Sequence, residues 1–114
     1  MDVFKLNTFT KGWFVGDFEP TIIKTKDCEV AVKIYKKGDN EGAHYHKIAD
    51  ELTIVVSGEC KLNGQTFKAG DIVWIKPGEV AEFEATEDCV HTVVKIPSVK
   101  GDKYIVEESS GNTK

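Results

Sequence analysis

Residues 38–58 read GDNEGAHYHKIADELTIVVSG and contain two of the three histidines of the chain. His44 and His46 are one residue apart, and on a β-strand this spacing places both imidazoles on the same face. Glu51 follows after a four-residue segment that is long enough to turn the chain back. The stretch therefore predicts two consecutive strands whose polar side chains meet at one point.

Apolar and polar residues alternate over most of residues 20–97, which is typical of half-buried strands. Further strands are predicted at 28–35, 52–56, 60–62, 65–67, 72–75, 82–85 and 90–96. Asn63-Gly64 separates two of them and favours a type I′ hairpin, because both residues tolerate positive φ. No segment has a capped helix with a 3.6-residue apolar stripe. Short strands with Gly, Pro and Asn turns predict an all-β sandwich or barrel of two antiparallel sheets.

The alternation also predicts which side chains face the interior. On the strand at 28–35, Cys28, Val30, Val32 and Ile34 form the apolar side. On the strand at 90–96, Val90, Thr92 and Val94 form the expected inward side, and His91 would then be a surface or wall histidine. After residue 50, an inward Glu51 would bring Thr53 and Val55 into the lining of the barrel.

Composition narrows the class of protein. The chain has 114 residues, the size of one domain, and a net charge of −4. All fifteen basic residues are lysines, so neither the charge nor the side chains favour nucleic-acid binding. The three cysteines form no C-x-x-C pair and indicate a reducing compartment. Without a signal-peptide pattern or an apolar run near ~18 residues, we expect a cytoplasmic protein with no membrane segment.

The chain divides into three parts. Residues 1–20 are rich in aromatic side chains and are predicted to pack as an arm on the barrel or on a dimer partner. Residues 21–106 form the predicted barrel. Residues 107–114 are polar and are predicted to be a flexible tail.

His44, His46 and Glu51 are the candidate metal ligands. Two neutral imidazoles and one carboxylate suit iron and tolerate manganese, nickel or zinc. The sequence therefore predicts a divalent metal ion whose identity is open.

The same residues resemble the cupin superfamily. Its first motif is matched at every fixed position, with Gly38, five residues, His44-x-His46, four residues, Glu51, six residues and Gly58. Its second motif is matched at Gly70, Pro77 and Gly78 only. The resemblance implies a double-stranded β-helix, or jelly-roll, barrel with a metal inside, often dimeric through its N-terminal strand.

The second motif departs from the family where a fourth ligand is expected. Ala81 stands in place of a histidine and cannot coordinate a metal. Alternation places Ala81, Phe83 and Ala85 on one face and Glu82 on the other, although a bulge at Val80 would turn Glu82 inward. His91 is the other candidate replacement. The remaining possibility is a three-ligand metal with open positions, which is what a catalytic metal needs.

Two functions follow as hypotheses. The first is metal-dependent chemistry on a small oxygen-rich molecule, sugar-like or a carboxylate, by an isomerase, epimerase, lyase or dioxygenase reaction, with Glu82 or Tyr45 as candidate acid or base. The second is a non-catalytic module that binds or senses a small ligand. Residues 95–104 loosely resemble the tail of small cupins that accompany carbohydrate pathways. A homodimer is expected in either case.

Overall fold

The structure is a computed structural model that describes residues 1–106, and the predicted flexible tail at 107–114 lies outside the described residues. Two short 3-10 turns, Leu6–Thr8 and Thr10–Gly12, precede the strands. The strands are β1 (Trp13–Gly16), β2 (Ile23–Lys24), β3 (Glu29–Tyr35), β4 (Asn40–Tyr45), β5 (Asp50–Ser57), β6 (Glu59–Leu62), β7 (Gln65–Lys68), β8 (Ile72–Ile75), β9 (Ala81–Ala85), β10 (Cys89–Ile96) and β11 (Tyr104–Ile105).

The strands form two facing sheets. The six-stranded sheet has the order β2-β1-β3-β10-β5-β8, and the five-stranded sheet has the order β11-β4-β9-β6-β7. Every pairing is antiparallel except that of β1 with β2. The predicted all-β barrel of two antiparallel sheets is therefore confirmed. β1, which lies within the predicted arm, pairs with β3 of this same barrel.

The register of β10 overturns the predicted inward faces. His91 is paired with Lys33 of β3 on one side and with Val55 of β5 on the other, and all three point inward. Val90 and its partner Ile34 consequently point outward, and Ile34 is 69% exposed. The prediction was wrong because alternation shows that a strand has two faces but not which face lines a polar cavity.

The interior changes from apolar to polar along the barrel. The apolar core consists of Val55, Cys60, Phe83, Ala85 and Cys89. Along β5 the inward side chains run from Val55 in this core to Glu51 in a cavity, and along β10 they run from Cys89 to Lys95. One end of the barrel is thus packed, and the other end can hold a ligand.

The turn between β6 and β7 has the predicted geometry. Asn63 and Gly64 have φ values of 52° and 80°, as a type I′ hairpin requires. Gly58, just before β6, has φ of 79°, and a Cβ atom there would lie 2.1 Å from the carbonyl oxygen of Asp88. This glycine of the first motif therefore serves close packing of the backbone.

The outward face of the six-stranded sheet is apolar over four adjacent strands. Its side chains are Val30, Val32, Ile34, Leu52, Ile54, Val56, Ile72, Trp74, Val90 and Val94. Ile34, Val56, Ile72 and Trp74 are each more than half exposed. Within residues 1–106, no helix is long and apolar enough to cross a membrane.

Candidate metal centre

A cavity of about 250 Å³ lies between the sheets at the polar end of the barrel. His44, His46 and Glu51 all contribute to its lining, together with His91. The structure therefore brings the three predicted ligands to one cavity. A larger open groove of about 840 Å³ runs between the N-terminal turns and β3, but its described lining contains no histidine.

His44 presents one free ring nitrogen. It lies on β4, and its Nδ1 is 2.9 Å from the carbonyl oxygen of Gly42. When Nδ1 carries the proton and donates it to this oxygen, Nε2 keeps its lone pair. Metal-bound histidines commonly make such a bond through the nitrogen that does not ligate, so this orientation suits a metal ligand.

His46 has a buried nitrogen without a partner. Its residue is 4% exposed, and Nε2 has no hydrogen-bond partner among the described residues. Nδ1 lies 3.7 Å from Oε1 of Glu51. Burial, followed by the charges of Lys95 and His44, lowers the pKa of His46 to about 4. The ring is therefore neutral at neutral pH, which is the form that binds a metal.

Glu51 is oriented by the residue two positions along its own strand. Thr53 Oγ1 donates a hydrogen bond of 2.9 Å to Glu51 Oε2. Both residues line the cavity, as the alternation of β5 predicts. The other carboxylate oxygen, Oε1, is the one that approaches His46.

Asp102 fixes the loop between His46 and Glu51. Its carboxylate accepts hydrogen bonds from the backbone N–H groups of Lys47, Ile48 and Ala49, with distances of 2.9 to 3.2 Å. Burial raises the pKa of Asp102, but these hydrogen bonds outweigh it and leave the pKa below its usual value. The sequence gives no local signal for this role, because Asp102 is more than fifty positions from its partners.

His91 is a buried wall residue. It is 2% exposed, and its ring lies 5.4 Å from that of Tyr35 and 5.2 Å from that of Phe83, between centroids. Its Nε2 also lacks a partner within the part of the chain that the structure describes. Burial lowers the pKa of His91, while Glu41 acts in the opposite direction. His91 is therefore a wall histidine, one of the two predicted alternatives, and the expectation that its neighbours Val90, Thr92 and Val94 face the interior in its place was wrong.

The other residues that the sequence analysis considered, at positions 81, 82 and 45, add no ligand to the cavity. Ala81 lines it and pairs with His44 in the β4–β9 register, so its methyl group stands across from a candidate ligand. The side chain of Glu82 is exposed on the other face of β9, and its backbone N–H donates a hydrogen bond to Asn63 Oδ1. The bulge at Val80 that would turn Glu82 inward is therefore not present in this described segment. Tyr45 stacks on Tyr104 on the far side of β4.

The sequence analysis missed a hydrogen-bonded pair in the cavity. Tyr35 Oη donates a bond of 2.8 Å to Glu41 Oε2, and both side chains line the cavity. Burial and the charge of Glu41 raise the pKa of Tyr35. The sequence gives no motif for this pair, because Tyr35 on β3 and Glu41 on β4 show only the ordinary alternation of two neighbouring strands.

The candidate ligands are not already gathered around a point. Among residues 1–106, no three His, Cys, Asp or Glu side chains stand in an arrangement that could hold a metal ion. His44 and His46 have ring centroids 5.6 Å apart and planes at 85°. Binding of an ion would therefore require rotation of these side chains within the cavity.

Solved structures share this fold at low sequence identity. A conserved protein with a double-stranded β-helix domain from Klebsiella pneumoniae has a TM-score of 0.70 and 24% identity, over 93% of this chain and 92% of that one. An RmlC-like cupin from Shewanella frigidimarina has a TM-score of 0.59 and 18% identity, over 66% and 70% of the two chains. The bacterial pirin YhhW from Escherichia coli, solved in complex with nickel(II), has a TM-score of 0.62 and 18% identity, over 77% of this chain and 39% of its own length.

These likenesses confirm the architecture that the motifs predict. The chain has the double-stranded β-helix fold of the cupins. No protein-family model matches the sequence, and no curated protein matches it. Similarity at this level establishes the fold alone.

Replacing Asp102 tests the loop between the two candidate ligands. Asp102→Ala should lower the free energy of unfolding by about 2–3 kcal/mol at pH 7, because three backbone N–H groups lose their acceptor. The folded pKa is depressed, so this stabilisation is complete above the unfolded pKa of about 3.9 and is lost as the pH falls below it. Urea unfolding at pH 7 and at lower pH measures the difference between wild type and variant.

Asp27→Ala, at an exposed aspartate, is the control and should change stability by less than about 0.5 kcal/mol. A difference for Asp102→Ala that stays constant from pH 7 to pH 3 would contradict the assigned role.

Proposed function

We propose that this protein binds one divalent metal ion through His44, His46 and Glu51 and uses it on a small oxygen-rich molecule. The buried Nε2 of His46, which has no hydrogen-bond partner among residues 1–106, carries the proposal. A nitrogen that has left water without gaining a hydrogen bond is costly unless another partner takes the place of water. It lies in a cavity that also receives His44 and Glu51.

The donor set fits a borderline metal ion. Two neutral imidazoles and a carboxylate suit iron, manganese, nickel or zinc, and the orientation of His44 leaves Nε2 available. The pirin of similar fold was solved with nickel(II), which supports the same class of ion here. A bound ion of this kind would act as a Lewis acid that polarises a carbonyl or carboxylate oxygen.

The chain's own residues define what surrounds the ion. The small Ala81 leaves space opposite His44, so ligand atoms can enter where a fourth protein ligand is absent. Thr53 holds the Glu51 carboxylate in one orientation. Tyr35 Oη donates a hydrogen bond to the Glu41 carboxylate, and this pair takes the place of Glu82 and Tyr45 as the candidate polar group that orients a substrate.

A second candidate function is a binding or sensing module that works without metal. The absence of a ready-made donor cluster in the described residues favours it. The two candidates differ in metal affinity and in turnover, and metal affinity is the property that can be measured without knowing the substrate.

Metal titration separates the two functions. Protein stripped with a chelator and titrated with nickel(II) should bind one ion per chain in a calorimeter. His46→Ala should weaken binding by at least tenfold, because a ligand is lost. Ala81→His should strengthen it by about tenfold, because this position is paired with His44 and would add an imidazole.

His91→Gln is the matched control, since His91 is equally buried in the same cavity. It should change the affinity by less than threefold. A loss as large as that of His46→Ala would make His91 a ligand, and no binding by wild type would leave the metal-free module as the function.

We further propose a homodimer in which a second copy covers the apolar outward face of the six-stranded sheet. With strands about 4.8 Å apart and outward residues about 6.7 Å apart along each strand, the ten apolar side chains give a footprint of roughly 320 Å². Such a patch is typical of an interaction surface. It supplies about 40% of the ~800 Å² that each partner buries in a standard interface, and a two-fold axis would pair it with itself.

Light scattering after gel filtration tests the dimer. Wild type should have twice the chain mass of 12.7 kDa. Ile72→Lys should give the monomer, because it places a charge in the patch. Ile105→Lys on β11 is the matched control, since both isoleucines are 65% exposed, and it should remain dimeric. A monomeric wild type, or equal effects of the two variants, would refute this interface.

A further inference from the structure

The same cavity has a cluster of lysines that the metal site does not use. Lys11, Lys33, Lys95 and Lys103 all line it. Lys33 and Lys95 are inward-facing residues of neighbouring strands, and Lys95 has a side-chain exposure of 15%. Lysines seldom face the interior of a barrel, because an ammonium group that leaves water must be compensated.

Trp13 holds two of these ammonium groups in place. The Nζ atoms of Lys33 and Lys95 lie 5.0 Å and 4.9 Å from the centroid of its indole ring. An aromatic face attracts cations at this distance. The indole ring therefore favours positions of both ammonium groups beside the cavity.

The protein's carboxylates compensate this cluster only in part. Lys95 pairs with Glu29 at 3.8 Å, and Glu41 lies close enough to Lys33 to influence its titration. Within the cavity lining, four lysines face two glutamates, Glu41 and Glu51, and Glu29 pairs with Lys95 from outside this lining. One excess positive charge therefore remains, in a protein whose net charge is −4.

Mutual repulsion within the cluster favours the binding of an anion. Burial lowers the pKa of Lys33, Glu41 opposes this, and Lys11, Lys103 and Lys95 lower the pKa further. A like-charge cluster inside a concave site attracts counter-ions and concentrates anions from solution.

We propose that Lys33 and Lys95, held by Trp13, bind the carboxylate of a small organic acid in the cavity. The volume of about 250 Å³ equals that of roughly eight waters at ~30 Å³ each, so the ligand has on the order of eight to ten non-hydrogen atoms. This inference rests on the proposed function, because it takes the cavity to be the substrate site. It narrows the oxygen-rich substrate to an anion. The same acid could reach the proposed metal with a second oxygen.

Fluorescence of Trp13 provides a direct test. The chain has two tryptophans, and Trp74 lies outside the cavity on the outward face, so Trp74→Phe leaves Trp13 as the only reporter. In this background, chelator-treated protein is titrated at constant ionic strength with malonate, with its neutral analogue malonamide and with inorganic phosphate. Malonate should change the emission with saturation, and malonamide should not.

Lys33→Gln and Lys95→Gln should each weaken malonate binding at least tenfold, and Lys33→Arg should retain most of it because the charge remains. Lys68→Gln, at an exposed lysine on β7, should have no effect. Equal responses to malonate and malonamide, or equal effects of the cavity and control variants, would overturn the proposal. Tighter binding of phosphate than of malonate would overturn the carboxylate assignment.

The titration is made without metal so that the two proposals can fail separately. In His46→Ala protein, malonate should still bind through the lysines, although nickel(II) should bind at least tenfold more weakly. If nickel(II) binds to wild type but malonate never alters Trp13 emission, the lysine site is refuted and the metal site stands.

Discussion

The register of β10 between β3 and β5 is the constraint on which the rest of the structure depends. It points His91 and Lys95 into the barrel, and it makes Lys33 of β3 and Glu51 of β5 face the same interior. Because side chains alternate with a period of two, a slip of β10 by one residue would turn His91 and Lys95 to solvent and Val90 and Val94 into the cavity. The polar and the apolar side of this strand are therefore both set by one register.

A polar interior of this kind is costly, and the fold limits the cost in several ways. Ion pairs with Glu29 and contacts with Trp13 compensate Lys95. Hydrogen bonds compensate Glu51, Asp102 and the Tyr35–Glu41 pair. The nitrogen atoms of His46 and His91 remain without partners among the described residues. Residual polar groups gathered at one end of a barrel are the expected signature of a site that is completed by a ligand.

Much of the fold could be predicted from the sequence because it depends on local chemistry. Asn63-Gly64 specifies its hairpin through backbone conformation alone, and the alternation around Ala81 and Glu82 predicts their faces correctly. The faces of β3 and β10 were misassigned, since the rule that apolar residues point inward fails in a barrel with a polar cavity and an apolar exterior. Asp102 was missed because no motif links it to partners more than fifty positions away. The Tyr35–Glu41 pair was missed because no motif marks the polar sides of β3 and β4.

The central claim is that His44, His46 and Glu51 jointly hold a metal ion at the polar end of the barrel. An anomalous-difference map from crystals of the nickel-loaded protein tests it most directly. The account predicts one peak in the cavity within about 2.0–2.3 Å of a nitrogen of each histidine and an oxygen of Glu51. A peak held by other side chains, or no peak in the cavity at full loading, would contradict it.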